Sequence, residues 1–175
     1  MAMKFSLLTF ILSLFCCGCI FNASAQKAAR KKADKQTQEW RYEIETVAKK
    51  ADKSYELKIS SFSKKPVVAM EQCKKNAVHT TVFKGIPAAQ DGRTPGIKAL
   101  FPSSTLTPEQ EKFFAGFFET GGDFMRFVTE TNAGLNETIK LGKEYKISVR
   151  VVVNVPALRR YLEDAGMIRA LNTGF

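Results

Sequence analysis

Two neighbouring stretches of the chain alternate between apolar and polar residues, one over 39–48 and the other over 54–62. The positions on their apolar sides are Tyr42, Ile44 and Thr46 in the first stretch and Tyr55, Leu57 and Ile59 in the second. A side-chain period of two with one apolar face is typical of a strand that is buried on one side only. The polar residues 49–53 between the stretches predict a hairpin loop.

A helix is predicted after this hairpin. Pro66 suits its first turn, where no backbone donor is needed, and Gly85 suits its end. The inward side chains are small, which lets the helix lie close to a sheet; they are Ala69, Cys73, Ala77 and Thr80. Lys74 and Lys75 are expected to face water, and Cys73 is expected to be a small buried side chain rather than a reactive thiol.

A second helix is predicted to begin at Thr107-Pro108-Glu109-Gln110. Thr107 and Gln110 have the spacing of a capping box, in which each side chain accepts a hydrogen bond from the other residue's backbone N–H. One broad face of this helix is aromatic, with Phe113, Phe114, Phe117 and Phe118. Such a face is typical of core packing, since each ring buries about 150–250 Å². The alternative is a pocket for a lipophilic ligand.

Two further strands are predicted at 124–131 and 145–155. Apolar residues enter both sides of the second one, which is typical of a central strand. Pro156 then opens a last helix that Gly166 ends. No internal repeat is expected. The order β-β-α-α-β-β-α predicts an α+β fold, with a mainly antiparallel sheet of about four strands and helices packed on one face.

The connection 86–106 between the first two helices is long and contains Pro87, Pro95 and Pro102. Loops of this length are either functional or tolerated insertions. Loops on a rigid scaffold carry binding more often than cores do. A ligand or partner contact is therefore expected at Arg93, Lys98 and Phe101, on the basis of their position alone.

The first 25 residues have the character of a secretory signal peptide. Lys4 precedes the apolar stretch 5–21, and Ala23-Ser24-Ala25 is the small-x-small motif that signal peptidase cleaves. The protein is therefore expected to be exported to the periplasm or the cell surface. The less favoured alternative is lipidation at Cys19, which would anchor the chain to a membrane.

The formal net charge is +10, and much of the excess lies in a predicted flexible leader at 26–38. Its basic residues are Lys27, Arg30, Lys31, Lys32 and Lys35. Such a segment either contacts anionic headgroups or a polyanionic surface component, or is only a solvated leader. Nucleic acid is not expected as a partner, because no aromatic-basic motif of a known nucleic-acid fold is present.

Residues 39–175 are expected to form one α+β domain with no cofactor, no metal and no catalytic set. Cys73 is the one cysteine beyond the signal peptide, so an internal disulfide is excluded. His79 is the one histidine, and no serine or cysteine motif matches it. Carboxylates remain as candidates. Glu43 and Glu45 share a strand face, where Lys58 on the adjacent strand is expected to pair with them.

The segment 63–79, continuing to Phe83-Lys84-Gly85, resembles a pattern found in small exported proteins of anaerobic gut bacteria. Gly142-Lys143-Glu144-Tyr145 and Pro156-Ala157-Leu158-Arg159, with Gly166, add to it. That group has no assigned activity, so the resemblance implies export and a single domain but transfers no catalytic residue. A strand followed by an alanine-rich helix is also similar to envelope-lipoprotein domains that assist surface assemblies, which is an analogy of fold.

The sequence therefore favours a non-enzymatic binding or assembly module of the cell envelope, with an envelope protein or a polyanionic surface component as partner. One alternative is a hydrolase of envelope carbohydrate that uses paired carboxylates. The other is a carrier of a small lipophilic ligand that uses the phenylalanine face.

The processed protein is expected to begin at Gln26, because the motif before it is the cleavage signal. Mass spectrometry of the N-terminal peptide from an envelope fraction would measure this. Replacing Ala25 with Arg is expected to block cleavage, since the peptidase requires a small residue there. An intact N-terminus in the cytosol, or a lipid on Cys19, would contradict the prediction.

Overall fold

The computed structural model describes residues 40–103, 105–131 and 136–170, with the isolated position 28. The predicted signal peptide lies outside these residues, and so does the predicted leader apart from that one position. Within the described ranges, no helix is both long and apolar enough to cross a membrane.

The described strands form one sheet in which every pair is antiparallel. They are β1 (Tyr42–Lys49), β2 (Tyr55–Ser63), β3 (Val128–Glu130), β4 (Glu137–Leu141) and β5 (Glu144–Val153). The order is β1-β2-β5, and both β3 and β4 pair along the free edge of β5. β5 is therefore the central strand, as its two apolar sides predict.

The helices are α1 (Pro66–His79), α2 (Pro108–Phe117) and α3 (Val155–Asp164). A π-helical turn, Thr80–Lys84, extends α1, and a 3₁₀ turn, Asp123–Phe127, precedes β3. The capping box at Thr107 and Gln110 is present, with both hydrogen bonds formed. The α+β class and the antiparallel sheet are confirmed.

Two predicted details of the sheet are wrong. The start of the predicted strand 124–131 is the 3₁₀ turn, in which Phe124 and Phe127 are both buried at the three-residue spacing of such a turn. The sheet also has a fifth strand, β4, which the alternation of apolar residues did not reveal. All of its residues are exposed, including Ile139 and Leu141, so this short strand has no face that is buried in the core.

The core lies between one face of the sheet and the helices. The apolar residues at its centre with no exposed surface are Leu57, Ile59, Ala69, Cys73, Ala77, Val78, Val82, Val151, Val153, Leu158 and Leu162. The Cys73 thiol donates to the carbonyl of Ile59 (3.3 Å), and burial raises its pKa to about 11. Cys73 is thus a buried packing residue, as predicted. The phenylalanine face of α2 also belongs to this core.

The prediction that Lys74 and Lys75 face water is wrong. Lys75 is only 5% exposed and lies 5.6 Å from the centre of the Phe124 ring. Loss of solvent lowers the pKa of this amine to about 8. Lys74 forms an ion pair of 3.1 Å with Glu130. The helical period revealed the side of α1 that faces the sheet, but not the 3₁₀ turn that covers its flank.

Two backbone hydrogen bonds join the segments of the connection 86–106 near its start, at a point called its neck below. Ile86 and Ile97 each donate an N–H to the carbonyl of the other at 2.9 Å. Two glycines allow this approach: a Cβ on Gly85 would lie 2.5 Å from the Ile97 oxygen, and one on Gly96 would lie 2.5 Å from the Ile86 oxygen. The loop therefore has a fixed base on the core.

Gly96→Ala is expected to lower the free energy of unfolding by about 3 kcal/mol, because the new methyl group meets backbone atoms that hold the loop neck. Gly116→Ala is the matched control. Gly116 lies in α2 with open space around it, so alanine there is expected to add about 0.5–1 kcal/mol. Urea unfolding monitored by circular dichroism measures both changes, and equal effects of the two substitutions would contradict the prediction.

Candidate functional site

The face of the sheet opposite the core carries a depression of about 260 Å³. Its walls come from four strands and from one residue of the connection 86–106. The lining residues are Glu43, Ile44, Glu45, Lys58, Ser60, Gln90, Glu137, Ile139, Lys146 and Ser148. Most of these side chains are polar, which favours a hydrophilic ligand over an apolar one.

Two serines form the floor of this depression. Ser60 of β2 and Ser148 of β5 are paired in the register of the sheet, and their Oγ atoms lie 2.8 Å apart in a hydrogen bond. They are only 6% and 5% exposed, although they belong to the face turned away from the core. Longer charged side chains line the depression around them, which accounts for this low exposure.

Two ion pairs flank the serines. Lys58 of β2 extends across β5 to Glu137 of β4, at 2.9 Å. Lys146 of β5 extends across β2 to Glu43 of β1, at 2.5 Å. The lysine side chains are about three-quarters buried, whereas more than half of each carboxylate side chain is exposed. The carboxylates are therefore the groups of each pair that solvent or a ligand reaches first.

Glu45 differs from the other two acids of the depression. It is exposed and forms no ion pair with any residue that the structure describes. The expectation that Lys58 pairs with Glu43 and Glu45 is wrong. Lys58 lies opposite Glu45 in the register but binds Glu137, because β4, which the prediction lacked, supplies a third acid on the same face.

The sequence contains a signal for this site that the expectation of no internal repeat missed. Glu56-Leu57-Lys58-Ile59-Ser60 on β2 matches Glu144-Tyr145-Lys146-Ile147-Ser148 on β5 at four of five positions. Each copy places one lysine and one serine on the outer face and one isoleucine in the core. A repeat of this length is too short to specify a domain, and its meaning depends on the pairing of the two strands.

The three residues predicted to contact a ligand lie in different environments. Arg93 and Lys98 are exposed, whereas Phe101 is 4% exposed and packs on Phe83 and Phe114 at 5.8 and 5.5 Å between ring centres. Phe101 is thus a core residue, and the structure does not bring it together with the other two at the surface. Contacts at Arg93 and Lys98 remain a prediction. From the same loop, Gln90 reaches the depression.

His79 lies on the core side of the sheet, among aromatic rings. Its ring stacks on Trp40 with 3.4 Å between centres, and its Nδ1 lies 3.0 Å from the Tyr42 hydroxyl. Burial, with a smaller effect of Lys84, lowers the pKa of His79 to about 3, and burial raises that of Tyr42 to about 12. A neutral imidazole accepting from a neutral phenol fits these values. The histidine is therefore a satisfied packing residue.

Stability is expected to fall as the pH falls from 7 to 5. Below the unfolded-state pKa of about 6.5, the unfolded chain takes up a proton at His79 that the folded protein does not. This one group then lowers the free energy of unfolding by about 2 kcal/mol at pH 5. Urea unfolding at both pH values measures the slope. In His79→Phe, which keeps an aromatic ring beside Trp40, the slope is expected to be smaller, and an unchanged slope would contradict the assignment.

The part of the chain that the structure describes contains no group of three or more histidine, cysteine or acidic side chains placed to hold a metal ion. Comparison of the sequence and the structure with protein-family models, curated proteins and solved structures finds no match.

Proposed function

We propose that this protein is a non-enzymatic binding module of the cell envelope, and that it binds its ligand in the depression on the outer face of the sheet. The buried Ser60–Ser148 pair between two ion pairs is the observation that carries this proposal. The envelope location rests on the predicted signal peptide and on the resemblance to small exported proteins.

The hydrogen-bonding groups of the depression favour a ligand rich in hydroxyl groups. A carboxylate only accepts hydrogen bonds and an ammonium group only donates them, whereas serine and glutamine side chains do both. A sugar hydroxyl also donates and accepts, so a saccharide can use every one of these groups. An anionic ligand would be repelled by the three carboxylates, and a cationic ligand by the two lysines.

The charge of the depression also argues against a polyanion there. Glu43, Glu45 and Glu137 outnumber Lys58 and Lys146, so the site has a formal charge of −1 in a chain of +10. Contact with polyanionic components or with anionic lipids is a separate proposal, which rests on the basic leader at 26–38.

The same geometry supports binding over serine chemistry. A serine nucleophile needs a neighbouring base, and both lysines of the depression donate to carboxylates instead. His79 lies on the other side of the sheet with its Nδ1 at the Tyr42 hydroxyl. Beyond their mutual hydrogen bond, the serine hydroxyls therefore keep one donor and several lone pairs for a ligand.

One observation favours the alternative of a carbohydrate hydrolase. Glu43, Glu45 and Glu137 line one depression, and glycoside hydrolysis uses two carboxylates. Lysines hold two of these acids, so Glu45 is the one free to act. The lipophilic carrier has no such support, because the phenylalanine rings of α2 pack on one another, for example Phe117 on Phe118 at 4.8 Å.

The processed chain is expected to bind cellobiose or chitobiose with chemical-shift changes on β2 and β5 in NMR titrations. Ser148→Ala removes one hydroxyl from the floor of the depression. It is expected to weaken binding about five- to ten-fold, which corresponds to the net free energy of about one hydrogen bond. Ser103→Ala, at an exposed serine outside the depression, is the matched control.

Two results would contradict the proposal. Affinity that is equal in Ser148→Ala and in the wild type would place the ligand elsewhere. Turnover of the sugar that Glu45→Gln abolishes would show an enzyme and support the hydrolase alternative.

A further inference from the structure

We infer that the depression consists of two equivalent half-sites, each of which binds one ring of a disaccharide unit. This inference rests on the proposed function and narrows the saccharide ligand to a disaccharide unit. The first half-site is Glu43, Ser60 and Lys146, and the second is Glu137, Ser148 and Lys58. Each half-site contains one carboxylate, one hydroxyl and one ammonium group.

A local two-fold axis between Ser60 and Ser148 relates the half-sites. The register places Glu43 opposite Ser60 on one side of the axis and Glu137 opposite Ser148 on the other. Because β2 and β5 are antiparallel, the axis also exchanges the lysines that lie two residues before each serine. The two ion pairs, Lys146–Glu43 and Lys58–Glu137, are then copies of each other.

The repeated Lys-Ile-Ser sequence is the cause of this symmetry. A strand that pairs with a copy of the same sequence in antiparallel register places identical side chains at symmetric positions. The edge strands complete the pattern, since β1 and β4 each contribute one glutamate opposite a serine. The equivalence therefore extends across four strands and does not depend on one pair of side chains.

Each half-site matches the hydroxyl pattern of one sugar ring. Neighbouring ring hydroxyls can donate to the carboxylate and to the serine oxygen while they accept from the ammonium group. The volume of about 260 Å³ lies below the range of about 300–1,000 Å³ that is usual for enclosed ligand pockets. A shallow site of this size fits one or two rings of a glycan rather than a folded partner.

The symmetry ends at the rim of the depression, and this gives the ligand a direction. The axis relates Glu45 on β1 to Ile139 on β4, and Phe62 on β2 to Arg150 on β5. Ile139 is 49% exposed and suits the C–H face of a sugar ring. At the other end of the site, Glu45 can accept a hydrogen bond from a hydroxyl or amide N–H group of the sugar ring, which Ile139 cannot do. The two rings are held alike at the centre and differently at the ends.

Calorimetric titration of the processed chain tests the inference, with chitobiose and N-acetylglucosamine as probes. We expect one disaccharide to bind per chain but two monosaccharides, one in each half-site. Lys58→Met and Lys146→Met each keep the apolar stem and remove one ammonium group. Each substitution is expected to weaken disaccharide binding about ten-fold, to a similar extent, and to reduce monosaccharide stoichiometry to one.

Lys140→Met is the matched control, because Lys140 lies on β4 outside the depression. An unchanged far-ultraviolet circular dichroism spectrum and thermal midpoint show that each variant is folded, and Ser60→Ala and Ser148→Ala repeat the comparison with a smaller change. If the disaccharide binds but one lysine substitution abolishes binding while the other has no effect, the half-sites are overturned and the proposed function stands. If neither probe binds the wild type, both are overturned.

Discussion

The pairing of β2 with β5 is the constraint on which both faces of the sheet depend. The two strands pair over nine consecutive positions, from Tyr55 opposite Val153 to Ser63 opposite Tyr145. Because side chains alternate between faces, a shift of one residue would move the apolar set of one strand to the outer face. The same register that buries Leu57 against Val151 also aligns Ser60 with Ser148. Core formation and site formation therefore share one cause.

The core and the outer face constrain each other through this pairing. The small residues of α1 let the helix lie against the strands, and Cys73 comes within hydrogen-bonding distance of the backbone oxygens of Ile59 and Ile147, one on each central strand. A larger residue there would press the helix away from the sheet. Polar contacts hold both neighbouring strands: Asn76 of α1 donates to Ser61 of β2, and the Tyr42 hydroxyl of β1 lies 3.0 Å from His79 Nδ1. The Glu43 wall of the depression is thus held from beneath.

The connection 86–106 links these two sides of the molecule. Its neck is anchored on the core by the bridge between Ile86 and Ile97, and the Thr46 hydroxyl of β1 donates to the Pro87 carbonyl at 2.6 Å. Beyond this anchor, Gln90 reaches the depression on the outer face. A loop that a proline-rich sequence presents as irregular therefore contributes to the core with Phe101 and to the candidate site with Gln90.

The sequence by itself determined the elements whose patterns are strong. The alternation in β1, β2 and β5, the capping box of α2 and the glycine after α1 each reflect local physics, so the α+β class followed from them. The sequence did not show β4, because this edge strand is only five residues long and buries none of its apolar side chains. It also placed Lys75 in water, since a helical period shows only one buried side.

Only the tertiary structure decided where the chemistry lies. The residues of the depression come from positions as far apart as Glu43 and Ser148, and neither their charge nor their spacing along the chain marks them as a group. The repeat of Lys-Ile-Ser was present in the sequence, but it acquires meaning only when β2 and β5 lie side by side. Long-range backbone pairing sets that arrangement, and a local pattern carries no information about which strands will be neighbours.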